Sequence, residues 1–184
     1  MTAKVFADTN LLLYTRDTSE PQKQDQAMAW MSHLWSTRTG KLSYQVLQEF
    51  CLTVTAKLQP GLDTESARRD VRSLLAWQPI VVNERVLENA WLVQDSYQIF
   101  WWDALIVSAA QLADCRYLLT EDLQENQKFG SLRVINPFHV EPASLKSKLV
   151  LIQKRLFLDS RDQPSAFSCQ PRLRITRGWL NAEN

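Results

Sequence analysis

Apolar and polar positions along this chain switch between two periods, and the switches outline alternating strands and helices. Residues 3–7 form a short apolar run that ends at Asp8, the pattern of a first strand with a helix opening near Asn10. Ala27, Trp30, Met31, Leu34 and Trp35 then fall at i, i+3, i+4, i+7 and i+8, the stripe of an amphipathic helix. Gly40-Lys41-Leu42-Ser43 reads as a turn into a short strand, followed by a helix over 45–57 that breaks at Pro60-Gly61. Residues 63–77 read as helical, with Asp63 as N-cap and Ser66 three positions later, half of a capping box. Residues 79–82 are a β-branched strand candidate. Val86, Leu87, Ala90, Trp91 and Val93 mark another amphipathic helix, while 104–113 is apolar almost all round, as in a helix buried on most sides. Runs at 117–119 and 132–135 complete the sheet. Alternation of this kind predicts an α/β domain with a mainly parallel sheet.

The pattern changes near residue 141, which divides the chain into a domain over 1–140 and an extension over 141–184. Leu145, Leu149, Ile152 and Leu156 are spaced for one face of a helix over 143–158. After Asp159 the chain is polar and basic, with Arg172, Arg174 and Arg177, and a poorly ordered end is expected. Residues 1–142 carry 13 Lys+Arg against 17 Asp+Glu, and residues 143–184 carry 8 against 3. The formal net charge of +1 therefore hides a mildly acidic body. Such a body is no general nucleic-acid sponge, so a nucleic-acid role must rest on a local site.

Apolar residues make up 45% of the 184, and seven are tryptophans, enough for a core without disulfides. No run approaches the roughly 20 apolar residues of a membrane helix, and the first residues lack a secretory signal pattern. Cys51, Cys115 and Cys169 are odd in number and widely separated, which suggests neither a disulfide framework nor a zinc site. A reducing cytoplasm is the expected compartment.

Four acids stand out by placement. Asp8 follows the first strand, at the carboxyl edge where open α/β sheets carry their sites. Glu49 lies inside a helix on the side of Val46 and Phe50, Asp103 opens the most buried helix, and Asp122 follows the strand at 117–119. Each also has a plain structural use: Asp103 as an N-cap, Asp8 in an Asx turn or cap, Asp122 as a solvated loop acid, Glu49 in an ion pair. Taken together they can gather at one sheet edge, where four carboxylates repel unless protonated or neutralised. A hard divalent cation with oxygen ligands, Mg²⁺ or Mn²⁺, removes that conflict. Water on such an ion becomes a competent nucleophile near neutral pH, and the ion lets an acidic pocket hold an anionic backbone.

Other chemistries find few candidates. Only His33 and His139 are available as histidine bases, the first on a helix and the second in a loop after Pro137. There is no Gly-rich phosphate loop, Walker lysine or HExxH. Asp8-Thr9-Asn10 lacks the second acid of an aspartyl phosphatase, and Cys51 sits in apolar company typical of core packing.

Four stretches resemble the PIN-domain family, and its VapC-like branch in particular. They are Phe6-Ala7-Asp8-Thr9-Asn10-Leu11-Leu12-Leu13-Tyr14, Gln45-Val46-Leu47-Gln48-Glu49-Phe50, Trp102-Asp103-Ala104-Leu105-Ile106-Val107, and Leu118-Leu119-Thr120-Glu121-Asp122-Leu123-Gln124 continuing to Asn136-Pro137-Phe138. The resemblance implies a three-layer α/β/α fold with a central, mainly parallel sheet. It also implies a Mg²⁺-dependent endoribonuclease whose metal-holding, catalytic acids fall on Asp8, Glu49, Asp103 and Asp122. Thr9, Asn10 and Thr120 match supporting polar positions, where loss weakens activity rather than abolishing it. Glu121 takes a supporting position too, and competes with Asp122 as a ligand because adjacent acids exchange with a small register change.

VapC-like proteins act as toxins on RNA, are often homodimers, and are silenced by a small antitoxin, so RNA, a cognate antitoxin and a second copy are the implied partners. Lys41, Lys57, Arg116, Lys128 and Arg133 are candidate phosphate contacts, each equally a solvated surface charge. Trp30, Met31, Leu34 and Trp35 are candidates for a partner patch, with core packing the alternative. The extension matches nothing in the family. Two rival functions remain open at this point: a catalytically inactive PIN-fold module that binds RNA or protein, and a nuclease without an antitoxin.

Overall fold

The computed structural model describes residues 3–144. The basic extension, Cys169 and all but the start of the helix expected over 143–158 lie outside them. Strands β1 (Val5–Ala7), β2 (Gly40–Lys41), β3 (Tyr117–Leu119), β4 (Lys128–Phe129) and β5 (Leu132–Ile135) form one sheet in the order β2-β1-β3-β5-β4. Neighbours are parallel except β4 and β5, a short antiparallel pair at the edge. Helices α1 (Thr9–Tyr14), α2 (Pro21–Thr37), α3 (Tyr44–Ala56), α4 (Thr64–Leu74), α5 (Glu84–Tyr97) and α6 (Trp101–Leu112) flank it, giving the α/β/α layering that the sequence implies. From β1 the chain goes to β2 on one side, then returns through α3, α4, α5 and α6 to β3 on the other. The β1–β3 junction is thus the point where the winding reverses, and a crevice opens beyond strand ends at such a point.

The core explains the periodicities. Val5, Phe6, Ala7 and Tyr117, Leu118, Leu119 are buried on both sheet faces, as central parallel strands require. On α2, Ala27, Trp30 and Leu34 are fully buried, and the Trp30 indole donates to the carbonyls of Pro137 (2.9 Å) and Val140 (3.0 Å). Trp30 therefore fastens the segment after β5 to α2. Trp35 is 41% exposed but rests on Trp77, ring centroids 5.2 Å apart. Seven consecutive residues of α6, Ala104 to Ala110, are buried, matching its all-round apolar pattern. Gly40 is required by close packing, since a Cβ there would stand 2.5 Å from the Trp77 ring.

Two sequence expectations need correction. Residues 79–82 do not form a strand. Ile80 makes one parallel bridge to Ser43, with Tyr44 N–H donating to its carbonyl and its own N–H donating to Leu42, while Val81 is 58% exposed. Pro79, lacking an N–H, cannot extend that ladder. Asp103 does not cap its helix: the cap position is Phe100, which supplies no side-chain hydrogen bond, and Asp103 is the third helical residue. Among the described residues no helix is long and apolar enough to cross a membrane.

Candidate active site

Asp8 stands at the carboxyl end of β1, beside the end of β3, where its backbone N–H donates to Leu119 (3.1 Å) and extends the ladder. One carboxylate oxygen, Oδ1, accepts the Thr9 N–H at 2.7 Å and so caps α1. The other, Oδ2, accepts the Thr120 hydroxyl at 2.7 Å. That hydroxyl in turn accepts the Asn10 amide at 3.0 Å and the Asp122 N–H at 3.1 Å. One donor and two acceptor positions are all a hydroxyl offers, so Thr120 is saturated and locks the β3 exit to Asp8. Asn10 Nδ2 also donates to Asp122 Oδ2 at 3.1 Å and lies 3.5 Å from Asp8 Oδ2.

Glu49 joins from α3. Its Oε2 accepts the Thr9 hydroxyl at 2.6 Å, and its Oε1 accepts Gln45 Nε2 at 3.0 Å. Gln45, one helical turn earlier and buried, reaches the carbonyl of Trp102 at 3.4 Å, coupling α3 to the first turn of α6 that carries Asp103. Sequence reasoning assigned Gln45 no role. The available signal was its i, i+4 spacing to Glu49, which places both on one helix face. The Asp103 side chain makes no hydrogen bond among the described residues, but lies in the first turn of α6, where the positive end of the helix favours a carboxylate.

The electrostatics are one-sided. Asp8 is buried, and its carboxyl is pushed up to about 7. Burial is the main cause; the Asp122 and Glu49 charges add to it, and the Thr120 and Thr9 hydrogen bonds oppose it. Asp103 is raised too, by burial first and then by Asp122 and Glu49. Among the described residues no Lys or Arg side chain pairs with any of the four acids.

The neighbouring acids Glu121 and Asp122 part company. Glu121 points to Lys23 of α2, Oε2 to Nζ 2.7 Å, and only Asp122 faces Asn10. The histidines stand apart, with His33 on α2 and His139 beside Glu125. Arg116 precedes β3 and Arg133 pairs with its first residue, so both sit at the amino edge of the sheet, opposite the acids. Lys41 donates to the Trp77 carbonyl.

As placed, no three acidic, histidine or cysteine side chains among the described residues converge on one point; protein donors hold Asp8, Glu49 and Asp122 instead. The donor set nevertheless suits a hard cation. The carboxylates are all oxygen and mutually repelling. Asn10, whose amide nitrogen faces Asp8 and Asp122, also keeps a buried Oδ1 with no hydrogen-bond partner, which is costly.

A solved structure described as a toxin–antitoxin complex from Klebsiella pneumoniae shares 18% identity with the chain, covering 76% of it and 99% of the compared chain at a TM-score of 0.48. No curated protein matches the sequence. The PIN-domain family model matches residues 5–127, a span that contains Asp8, Glu49, Asp103 and Asp122. This chain is a member of the PIN-domain family.

Proposed function

We propose that this PIN domain is a metal-dependent endoribonuclease that hydrolyses RNA phosphodiester bonds, with Mg²⁺ as its ion and Mn²⁺ as a substitute. The observation that carries the reading is a buried Asp8 carboxyl held among like charges, with no Lys or Arg of the described residues paired to it. Burying uncompensated carboxylates is expensive, and binding a divalent ion is the use that offsets it. Asp8, Glu49, Asp103 and Asp122 would hold the ion. When bound, such an ion supplies neutralising charge for a phosphodiester and acidifies water to a usable nucleophile.

The chain's own contribution is orientation and proton control. Thr120 fixes Asp8 through Oδ2, Asn10 spans Asp8 and Asp122, and Thr9 with Gln45 fixes both oxygens of Glu49. The proton that Asp8 retains near neutral pH must leave its carboxyl before it can serve a cation.

The resemblance of the Asp8, Glu49, Asp103 and Asp122 stretches to VapC-like proteins supports a cytoplasmic toxin silenced by a small antitoxin and acting as a homodimer. The test is cleavage of total cellular RNA by purified protein, wild type against Asp8→Asn, in Mg²⁺ and in EDTA. Discrete fragments requiring both Asp8 and the metal are expected. A folded, metal-supplied wild type that cuts nothing, or an Asp8→Asn protein that cuts normally, overturns the reading.

A further inference from the structure

The acids Glu121 and Asp122 are adjacent in sequence, equal in charge and equally close to the β3 exit, yet only one faces the site. The difference lies in what lies beyond Glu121. Lys23, in the first turns of α2, donates to Glu121 Oε2 at 2.7 Å and to the Tyr14 hydroxyl at 2.8 Å. Its ammonium lies 4.4 Å from the Tyr14 ring centroid and 5.2 Å from that of Phe138, and those rings meet edge to face at 4.8 Å. With side chains 32% and 24% exposed, the Lys23–Glu121 pair is part-shielded, in a socket built from the ends of α1 and β5 as well as α2.

This is more than an ordinary surface ion pair, which is free to swivel and contributes little. Tyr14 is the last residue of α1, and Asn10 near the start of that helix holds Thr120 and Asp122. One short helix therefore grips the 120–122 loop twice: at its start through Asn10, and at its end through Tyr14 and Lys23. Residues 121–123 form a bend in which Thr120 holds the Asp122 N–H, and there the two side chains part: Glu121 is drawn outward to Lys23 while Asp122 lies on Asn10.

We infer that Lys23 is a positioning residue: by holding Glu121 against Tyr14 and Phe138 it turns Asp122 to the acidic site and keeps a fifth carboxylate out of it. This rests on the proposed divalent-cation site. Without Lys23, Glu121 is released beside four repelling acids and the loop loses its outer anchor. Both effects weaken cation binding without touching Asp8, Glu49 or Asp103.

The experiment is Mn²⁺ binding to the full chain, followed by calorimetry and water-proton relaxation, with unfolding midpoints recorded in parallel. Lys23→Met keeps the length and apolar contacts but removes the charge. It should weaken Mn²⁺ by roughly 10- to 100-fold, the range typical of groups that orient metal ligands. Lys23→Arg should recover most of that loss, and Glu121→Gln should lose no more than about 3-fold. Lys23→Gln guards against misfolding of the Met variant and should match it. Wild-type binding by a folded Lys23→Met or Lys23→Gln protein overturns the inference alone, with the metal site intact. So does a Glu121→Gln loss as large as that of Asp122→Asn, which would make Glu121 a ligand. If the wild type itself shows no saturable Mn²⁺ site, the metal reading fails, and this inference falls with it.

Discussion

Acidic residues are treated in opposite ways at two places in this domain, along α4 and at the carboxyl edge of the sheet. On α4 every acid has a partner. Asp63 caps the helix through the N–H groups of Glu65 and Ser66, Glu65 pairs with Arg72 at 2.8 Å, and Asp70 takes a two-pronged contact from Arg16 at 2.7 and 2.8 Å. The Asp63 carboxyl is held low by the Ser66 hydroxyl and the helix-terminal N–H groups, and the Glu65 carboxyl by Arg72. At the sheet edge, among the described residues, Asp8, Glu49 and Asp122 take hydroxyl and amide donors and Asp103 takes none. No Lys or Arg of those residues pairs with any of the four, and burial drives Asp8 and Asp103 the other way. The chain thus has basic residues and uses them where acids need only be solvated. Lys23, beside that edge, serves Glu121. Among the described residues the charge at the edge is left without a cationic partner.

The sharpest way to break this contrast is Asp8→Asn. Asp8 is raised in the folded state to about 7 from an ordinary value of 3.8, so the folded chain binds more protons than the unfolded one between those pH values. Metal-free stability should therefore fall as pH rises from about 4 through 7, by up to a few kcal/mol, and stay low above. Asn removes the charge. At pH 8 the metal-free variant should melt roughly 5 °C above the metal-free wild type, the difference shrinking as pH falls and vanishing only below about pH 4, while RNA cleavage is lost. Added Mn²⁺ should stabilise the wild type more at pH 8 than at pH 6, because Asp8 must be ionised to take part. A flat pH dependence in EDTA would show that Asp8 carries no penalty.

A gentler probe acts on the donors. Thr120→Val deletes the hydroxyl that serves Asp8, Asn10 and Asp122 while keeping nearly the same shape. Asp8 then loses an opposing hydrogen bond and rises further. Mn²⁺ affinity should drop roughly 10- to 100-fold and the pH midpoint of binding should move up. Thr120→Ser, which restores the hydroxyl, should recover both. Equal behaviour of the Val and Ser variants would mean that the network around Thr120 is packing alone.

How much of this could be read from the sequence differs between helices, junctions and side-chain partners. The α2 and α6 patterns were legible because burial repeats with the helical turn, as Ala27, Trp30, Leu34 and the run from Ala104 show. Helix ends were less so: α2 and α5 stop at Arg38 and Gln98 in left-handed conformations where a glycine usually announces the stop. The β-branched run at 79–82 mimicked a strand, yet its neighbour beyond Ile80 is solvent. The four acids were conspicuous because they follow strand ends or sit in apolar helices. What orients them was not, since Thr120 and Asp8 are 112 positions apart and Lys23 and Glu121 98. The choice between Glu121 and Asp122 is a three-dimensional fact, set by a lysine on another helix.

The smallest effects belong on α4, and they complete the comparison. Arg72 and Glu65 are 62% and 59% exposed, so their contact is screened by water and salt. Arg72→Ala should shift stability by less than about 0.5 kcal/mol, and less still at 1 M salt. Asp70→Asn gives up a better-shaped, two-pronged contact to Arg16 and should cost about 1 kcal/mol at most. Neither should change Mn²⁺ affinity or RNA cleavage, because neither residue is tied to the sheet edge. Urea unfolding of both variants at low and high salt, beside Asp8→Asn, reads the contrast directly. Removing a compensated acid should slightly destabilise the domain, whereas removing an uncompensated one should stabilise its metal-free form. Opposite signs for substitutions of one chemical type follow only if the charge at the sheet edge is kept for something other than the fold.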